Sequence, residues 1–211
     1  MRFDAYHRDD GLWDIDATLT DTKAYVWHSA DKGDLAPGTP IHDMLIRLTA
    51  DVRAGRTLAV DPHFIHAIGH VLDDAARDPA FTALALSLPP EAEIALALPG
   101  DADPAAIHTA RNFVNETLAR VHAGKFRTLR DRFVVKDTYD PGAEQSGRRA
   151  LANAALRFIA MTDGPAEPMA QFERGGNMTD VMAALTILND IAGPERERAL
   201  DAFHDRWRDE P

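Results

Sequence analysis

Apolar positions in the second half of the chain recur at three- and four-residue spacing, the pattern of amphipathic helices. One segment runs from Ser146 to Met161, with Ser146 as a candidate N-cap, and another runs from Asn177 to Ile191, opening on Asn177 or Thr179. The apolar stripes comprise Leu151, Ala154, Ala155, Phe158 and Ile159 on the first helix and Val181, Met182, Leu185, Leu188 and Ala192 on the second. The pattern predicts a helical hairpin with a short loop between its two helices.

Helix starts upstream are marked by a repeated dipeptide. Asp61-Pro62, Asp78-Pro79 and Asp103-Pro104 each combine a capping carboxylate with a proline that loses nothing at the first helical position. The helices predicted from these starts, together with the remaining apolar periodicity, cover residues 62–75, 79–88, 91–98, 104–133 and 195–208. Gly124 is a candidate break in the long helix, whose basic side carries Arg111, Arg120, Arg127, Arg130 and Arg132 and is expected to be solvated.

The first 50 residues have a different pattern of apolar and polar positions. From Gly11 to Tyr25 large apolar residues alternate with polar ones, which predicts a β-strand, and Ile41 to Leu48 could pair as a further strand. The predicted fold is therefore mainly α, with a HEAT-like or armadillo-like superhelical stack after a small strand-containing head. We place the head at residues 1–50, a junction at 51–60 and the helical domain at 61–211.

Composition narrows the possible functions. The chain has 211 residues, 45 % of them hydrophobic, with a formal net charge of −11 and no cysteine. This charge argues against nucleic acid as a partner, and the lack of cysteine excludes disulfides and thiolate metal sites. No apolar run approaches the ~20 residues that a bilayer requires, and the first residues lack the apolar core of a signal peptide. We expect a cytoplasmic protein without a membrane partner.

Three histidines on the predicted helix after Asp61 suggest a metal site. His63, His66 and His70 share one side of that helix, and imidazoles at this spacing can coordinate zinc when further ligands complete the site. We favour a solvated histidine face and predict no cofactor, with zinc as the alternative. A second candidate, an acid/base pair or cation site in the head, would draw on Asp14, Asp16, Asp21, His28, His42 and Asp43.

The helical part also resembles a known family. Arg148 to Ala160, the run Gly-Asn-Met-Thr-Asp-Val-Met-Ala-Ala-Leu from Gly176 to Leu185, and Phe-His-Asp-Arg-Trp from Phe203 to Trp207 resemble the helical C-terminal region of bacterial aminopeptidase N, a zinc metallopeptidase. The segment from Asp78 to Ile94 is similar to the part that precedes this region. The resemblance covers residues 52–211 approximately and implies a helical stack.

The chemistry of that family sits in motifs that this sequence lacks. Its zinc is held by a His-Glu-x-x-His helix and its substrate by a Gly-x-Met-Glu-Asn loop, and here no histidine is followed by glutamate. The resemblance therefore implies a scaffold without peptidase activity of its own. It assigns no catalytic residue to this chain.

The head resembles the start of a bacterial domain family of unassigned function. The sequence motifs that carry this resemblance lie between Arg8 and Thr49: Asp-Gly-Leu-Trp-Asp-Ile, Leu-Thr-Asp-Thr-Lys and Pro-Ile-His-Asp-Met. The chain thus looks like a junction between two families, either a natural fusion or an engineered one. An enzyme that works through the acidic residues and histidines of the head is an outlying possibility.

The predicted last helix carries Leu200, Phe203 and Trp207 on its apolar side. In the aminopeptidase family further helices would stack here, and an uncapped stack leaves an apolar surface in water. We therefore expect an exposed patch or a covering partner, which could be a second copy of the chain. This expectation supports a rival hypothesis, a binding module that uses this end or the concave side of the stack. Gly175-Gly176-Asn177, before a predicted helix, could hold an anion but is more often a plain connector.

Overall fold

The structure, a computed structural model, describes residues 3–7, 13–17 and 40–209. Two strands, β1 (Phe3–His7) and β2 (Trp13–Ala17), pair in antiparallel register with Ala5 opposite Ile15. Over residues 40–209 the helices are α1 (Pro40–Arg53), α2 (Pro62–Asp73), α3 (Pro79–Ala85), α4 (Glu91–Ala97), α5 (Pro104–Val121), α6 (Ala123–Phe133), α7 (Ala143–Asp163), α8 (Ala166–Arg174), α9 (Met178–Asp190) and α10 (Pro194–Trp207). The mainly α prediction is confirmed, and β2 falls within the predicted strand.

The three Asp-Pro helix starts are confirmed, since α2, α3 and α5 begin at Pro62, Pro79 and Pro104. The aspartates cap these helices as expected. Asp78 Oδ1 accepts from the Phe81 amide at 2.9 Å, and Asp103 Oδ1 accepts from the Ala106 amide at 3.0 Å. Each aspartate thus satisfies an amide that has no partner within its helix.

The strand predicted from Ile41 to Leu48 is wrong, because this segment forms α1. Its apolar residues Ile41, Met44, Leu45 and Leu48 are all buried, and their spacing of three, one and three residues fits a helical period rather than an alternating one. Pro40 supplies the first helical position.

Three boundaries in the helical part also differ from the prediction. The expected loop between the two C-terminal helices contains α8, the long helix from Pro104 is divided at His122 into α5 and α6, and Gly124 lies inside α6. Ser146 lies inside α7, whose N-cap is Gly142. Asn177 is confirmed as the N-cap of α9, since its Oδ1 accepts from the Asp180 amide at 3.0 Å.

The chain divides into two compact units. The first comprises residues 1–71 and 87–117, and the second comprises residues 72–86 and 118–211. In the first unit α1 contacts α4, and the buried apolar residues include Leu45 and Leu48 of α1, Ile94 of α4 and Val114 of α5.

The second unit is arranged around α7, which contacts α3, α6, α8 and α9. At the crossing with α3, a Cβ on Gly147 would lie 3.3 Å from both the Cβ and the backbone nitrogen of Ala80. Glycine at this position therefore allows the two helices to approach closely.

Three contacts of different character link α6 to α7. Phe126 and Phe158 are fully buried and stack with ring centroids 4.3 Å apart. One turn on, the buried Arg130 donates to the Ala152 carbonyl at 3.4 Å. At the surface Arg127 forms an ion pair with Asp163 at 2.7 Å. The hydrogen bond from Arg127, followed by that from Thr162, lowers the pKa of Asp163.

Candidate functional site

A cavity of about 500 Å³ opens in the second unit between the end of α6, the segment that follows it, α8 and the start of α9. Its volume falls within the range of about 300–1,000 Å³ that is typical of small-ligand pockets. Its lining combines apolar surface with acidic and basic side chains. This cavity is the candidate functional site.

The floor of the cavity includes a buried charge. Arg130 is only 5 % exposed, and all three nitrogens of its guanidinium donate hydrogen bonds. Nε contacts Glu167 at 3.0 Å, one terminal nitrogen contacts the Ala152 carbonyl, and the other contacts Gln171. A buried guanidinium is stable only when it is paired and hydrogen-bonded in this way.

From Arg130 the hydrogen bonds continue to α9. Gln171 donates to Asn153 Oδ1 at 2.9 Å and to the Asp180 carbonyl at 2.8 Å, and Asn153 donates to Asp180 Oδ1 at 2.8 Å. Asn177 donates to the other oxygen of Asp180 at 2.8 Å. We call Arg130, Asn153, Glu167, Gln171, Asn177 and Asp180 the polar network. It ties α6, α7, α8 and α9 together below the cavity and fixes the start of α9.

The local sequence explains the turn between α8 and α9. Gly175 ends α8 with φ of +66°, a left-handed conformation that a side chain disfavours. Gly176 follows, and Asn177 then caps α9. Two glycines and an asparagine in succession thus end one helix and start the next within a few residues.

One wall of the cavity is an extended segment. Val134 has φ of −57° and ψ of 127°, and Val135 and Lys136 continue beyond the end of α6 without regular secondary structure. Within the described residues, the backbone groups of Val135 and Lys136 form no hydrogen bonds. Such a segment exposes donors and acceptors as a sheet edge does.

The rim carries two cations that have no partner among the described residues, Lys136 and Arg174. Two acids, Asp131 and Asp137, also line the cavity. Tyr139 completes this side, with its ring under the Arg149 guanidinium at 4.6 Å from the ring centroid. The rim is therefore mixed in charge, whereas the charges of the floor are already paired.

The three candidate zinc ligands lie on α2, in the first unit. His63 and His66 are exposed, His70 is half-buried, and the His66 and His70 rings lie 4.6 Å apart between centroids. In the part of the chain that the structure describes, no three histidine or carboxylate side chains come close enough to hold a metal ion.

The candidates in the head are not brought together by the described residues. His42 is buried in α1 with Nε2 at 3.4 Å from Glu93 of α4, while Asp43 is exposed. Asp14 and Asp16 lie on β2, opposite Tyr6 and Asp4 in the register. Asp21 and His28 lie outside the described residues.

The apolar residues expected at the end of the helical part are only partly covered. Leu200 is 39 % exposed, whereas Phe203 and Trp207 are half-buried with ring centroids 6.4 Å apart. Phe203 packs on a buried cluster formed by Met169, Leu185, Leu188 and Ala199. On α9 Met182 is 42 % exposed, and Ala192 is exposed beyond the end of that helix, so neither belongs to the buried stripe that we predicted.

Sequence reasoning missed the polar network. Arg130 was assigned to a solvated basic face of one long helix, yet it is buried and hydrogen-bonded to three residues on α7 and α8. Its neighbours Phe126 and Phe133 are buried on the same helix, and Arg130 lies four residues after the first and three before the second. This spacing is the signal that could have placed Arg130 on the buried side.

Comparisons with known proteins agree with this helical architecture. A family model described as a domain of unknown function, DUF3458_C ARM repeats, matches residues 39–211, and the chain belongs to this family. A second model, described as a protein of unknown function, DUF2889, matches residues 1–67. The two matches overlap over residues 39–67, which include α1 and the start of α2.

The relatives are aminopeptidases. The chain is 38 % identical over 156 residues to aminopeptidase N of Caulobacter vibrioides and 31 % identical over 156 residues to that of Escherichia coli. Each alignment covers 72 % of this chain but only 18 % of the relative. The predicted resemblance to the helical C-terminal region of aminopeptidase N is confirmed, and the chain spans less than a fifth of the relatives' length over the aligned part.

A solved structure shares the fold. Legionella pneumophila aminopeptidase A in complex with aspartic acid aligns with a TM-score of 0.67 and 21 % sequence identity, over 81 % of this chain and 21 % of that one. Among the helices of residues 40–209, none combines the length and the apolar character that crossing a membrane would require.

Proposed function

We propose that this chain provides a non-catalytic helical scaffold of the aminopeptidase N type, which covers the entry to a catalytic centre located elsewhere. The observation that carries the proposal is the 38 % identity to an aminopeptidase N over 72 % of the chain. A second supporting observation is that none of the 211 residues belongs to a His-Glu-x-x-His sequence. The helices would then act through shape and position, with no bond-breaking step of their own.

A peptidase assay tests this proposal. The purified chain, incubated with leucine p-nitroanilide and added zinc, should show no turnover. Any residual activity is assigned by comparing the wild type with a variant carrying His63→Ala, His66→Ala and His70→Ala, because these are the zinc candidates. Turnover that survives rigorous purification and disappears in this variant would refute the proposal. Contaminating peptidase would be equal in both samples.

The second candidate function is a protein-interaction module that uses the end of the helical part. The supporting observation is Leu200, which is 39 % exposed beside the half-buried Phe203 and Trp207. A second copy of the chain is one partner that could cover this surface. Neither proposed function involves nucleic acid, a membrane or a cofactor. The cysteine-free composition favours a cytoplasmic location.

Native mass spectrometry distinguishes the two candidates and reads the metal content from the same sample. Self-association at this surface should give a dimer for the wild type and a monomer for Leu200→Lys, with Arg77→Ala as a surface control that remains dimeric. A wild-type monomer at all concentrations would remove the dimer from consideration. One tightly held zinc per chain would reopen the case for catalysis.

A further inference from the structure

The wall of the cavity in the second unit carries backbone donors and acceptors that could pair with a peptide backbone. Its rim carries cations that could bind a carboxylate. The backbone of Val135 and Lys136 forms no hydrogen bond within the described residues, and both residues line the cavity. An extended polypeptide can pair with such a segment, because its own amides and carbonyls alternate at the required spacing. This mode of binding depends on the backbone and tolerates many side chains.

The charges of the rim add a preference. Lys136 and Arg174 carry the cavity's unpaired positive charges, whereas Arg130 is already engaged with Glu167 and Gln171. Among the acids of the lining, Glu167 is paired with Arg130, and Asp180 accepts from Asn153 and Asn177. A carboxylate that enters the cavity can therefore be neutralised by Lys136 and Arg174 without breaking an existing pair.

We propose that this cavity binds an extended peptide segment that pairs with the backbone of Val135 and Lys136 and places a glutamate or aspartate side chain against Lys136 and Arg174. The proposal goes beyond the scaffold function, since it holds whether or not the chain covers a catalytic centre. Asp131 and Asp137 also line the cavity, so a segment with many acidic residues is disfavoured. The ligand carries its carboxylate among uncharged neighbours.

The probe is a fluorescein-labelled peptide with blocked ends, acetyl-Thr-Val-Glu-Val-Thr-amide, and its partner probe has glutamine in place of glutamate. Blocked ends ensure that any carboxylate contact comes from the side chain. Fluorescence anisotropy with the full chain should show micromolar binding of the glutamate probe. The glutamine probe should bind roughly tenfold more weakly.

Two single variants test the cations. Lys136→Ala and Arg174→Ala should each weaken binding of the glutamate probe by roughly threefold, as expected for a rim ion pair, and should leave binding of the glutamine probe unchanged. Arg77→Ala is the matched control, because Arg77 is an exposed arginine of the same unit that pairs with Asp74 outside the cavity. Equal binding of the two probes by the wild type would overturn the assignment of the cations.

Val135→Pro tests the backbone pairing. Proline removes the amide of residue 135, and the φ of −57° and ψ of 127° at Val134 already suit a residue that precedes proline. Val135→Ala keeps the amide and controls for the lost side chain. We expect roughly tenfold weaker binding of both probes to Val135→Pro than to Val135→Ala.

Circular dichroism spectra and thermal transitions of each variant confirm that the helices are intact before binding is interpreted. A folded Val135→Pro that binds as tightly as Val135→Ala would overturn the backbone pairing. Absence of binding by the folded wild type at millimolar protein would overturn the site as a whole. Neither result would affect the proposed scaffold function, which the peptidase assay tests separately.

Discussion

The aromatic stack and the polar network join the same helices in different ways. Phe126 and Phe158 stack across α6 and α7 as apolar surfaces. The van der Waals attraction between the rings does not require the strict alignment of donor and acceptor that a hydrogen bond requires. One turn away, Arg130 enters a set of hydrogen bonds in which every buried donor needs its acceptor. The stack therefore supplies stability in proportion to buried area. The network instead determines how α8 and α9 are positioned against α6 and α7.

Truncation of the stack should have the largest effect. Phe158→Ala is expected to lower the free energy of unfolding by about 3–5 kcal/mol, because it removes a fully buried ring and leaves a cavity beside Phe126. Urea unfolding followed by far-UV circular dichroism measures the loss. Phe158→Leu, which keeps much of the volume, should cost about 1 kcal/mol. Equal losses for the two variants would show that volume is not what the stack contributes.

Opening the polar network should cost less. Gln171→Ala leaves Arg130, Asn153 and the Asp180 carbonyl each short of one hydrogen bond, and we expect a loss of about 2–3 kcal/mol in the same measurement. The double variant with Asn153→Ala should lose less than the sum of the single losses, because the two residues share one network. Strict additivity would mean that the network is a set of independent hydrogen bonds.

Two glycines test how closely the helices of the second unit pack. Gly124→Ala should raise stability by about 0.5 kcal/mol, since a Cβ there meets no atom within 4 Å. Gly147→Ala should lower stability by up to about 1 kcal/mol, because its Cβ would press on the backbone of Ala80 and α3 would have to shift. Differential scanning calorimetry of the pair measures the difference. A Gly147→Ala variant as stable as Gly124→Ala would show that α3 moves freely.

The exposed ion pair should have the smallest effect, and this effect should disappear at low pH. The pKa of Asp163 is lowered from its usual value of 3.8 by the hydrogen bond from Arg127, so its stabilisation is present above pH 3.8. It is lost as the pH falls through the lower value of the folded state. Urea unfolding of the wild type and Asp163→Asn should differ slightly at pH 6, and the difference should shrink as the pH falls below 3.8. A difference that grows towards acid pH would reverse the sign of the linkage.

Sequence reasoning found the features that rest on local chemistry. The Asp-Pro pairs and the Asn177 cap each act within a few residues, and the structure places helix starts at all of them. The apolar spacing also located the elements that became α7, α9 and α10, although their ends moved by a few residues. The family resemblance added the overall helical arrangement.

What sequence reasoning missed depends on neighbours that are distant in the chain. Arg130 is buried because Glu167 and Gln171 meet it from α8, about 40 residues further along. The helix α8 was itself read as a loop, so no partner for Arg130 was expected. The cavity was missed for the same reason, since its walls come from three separate segments and only Gly176 and Asn177 had been considered as a binding loop.

The methionine residues are natural probes of which surfaces of the protein are covered, because exposed methionines oxidise more readily than buried ones. With no cysteine in the chain, methionine is its only sulfur-containing residue. Met161, Met178 and Met182 are 39–42 % exposed, whereas Met44 and Met169 are 5 % exposed. Mild peroxide treatment should therefore oxidise the first three and spare the other two. A partner that docks on the outer side of α9 would protect Met178 and Met182 but not Met161, and peptide mass mapping would then report where it binds without any engineered label.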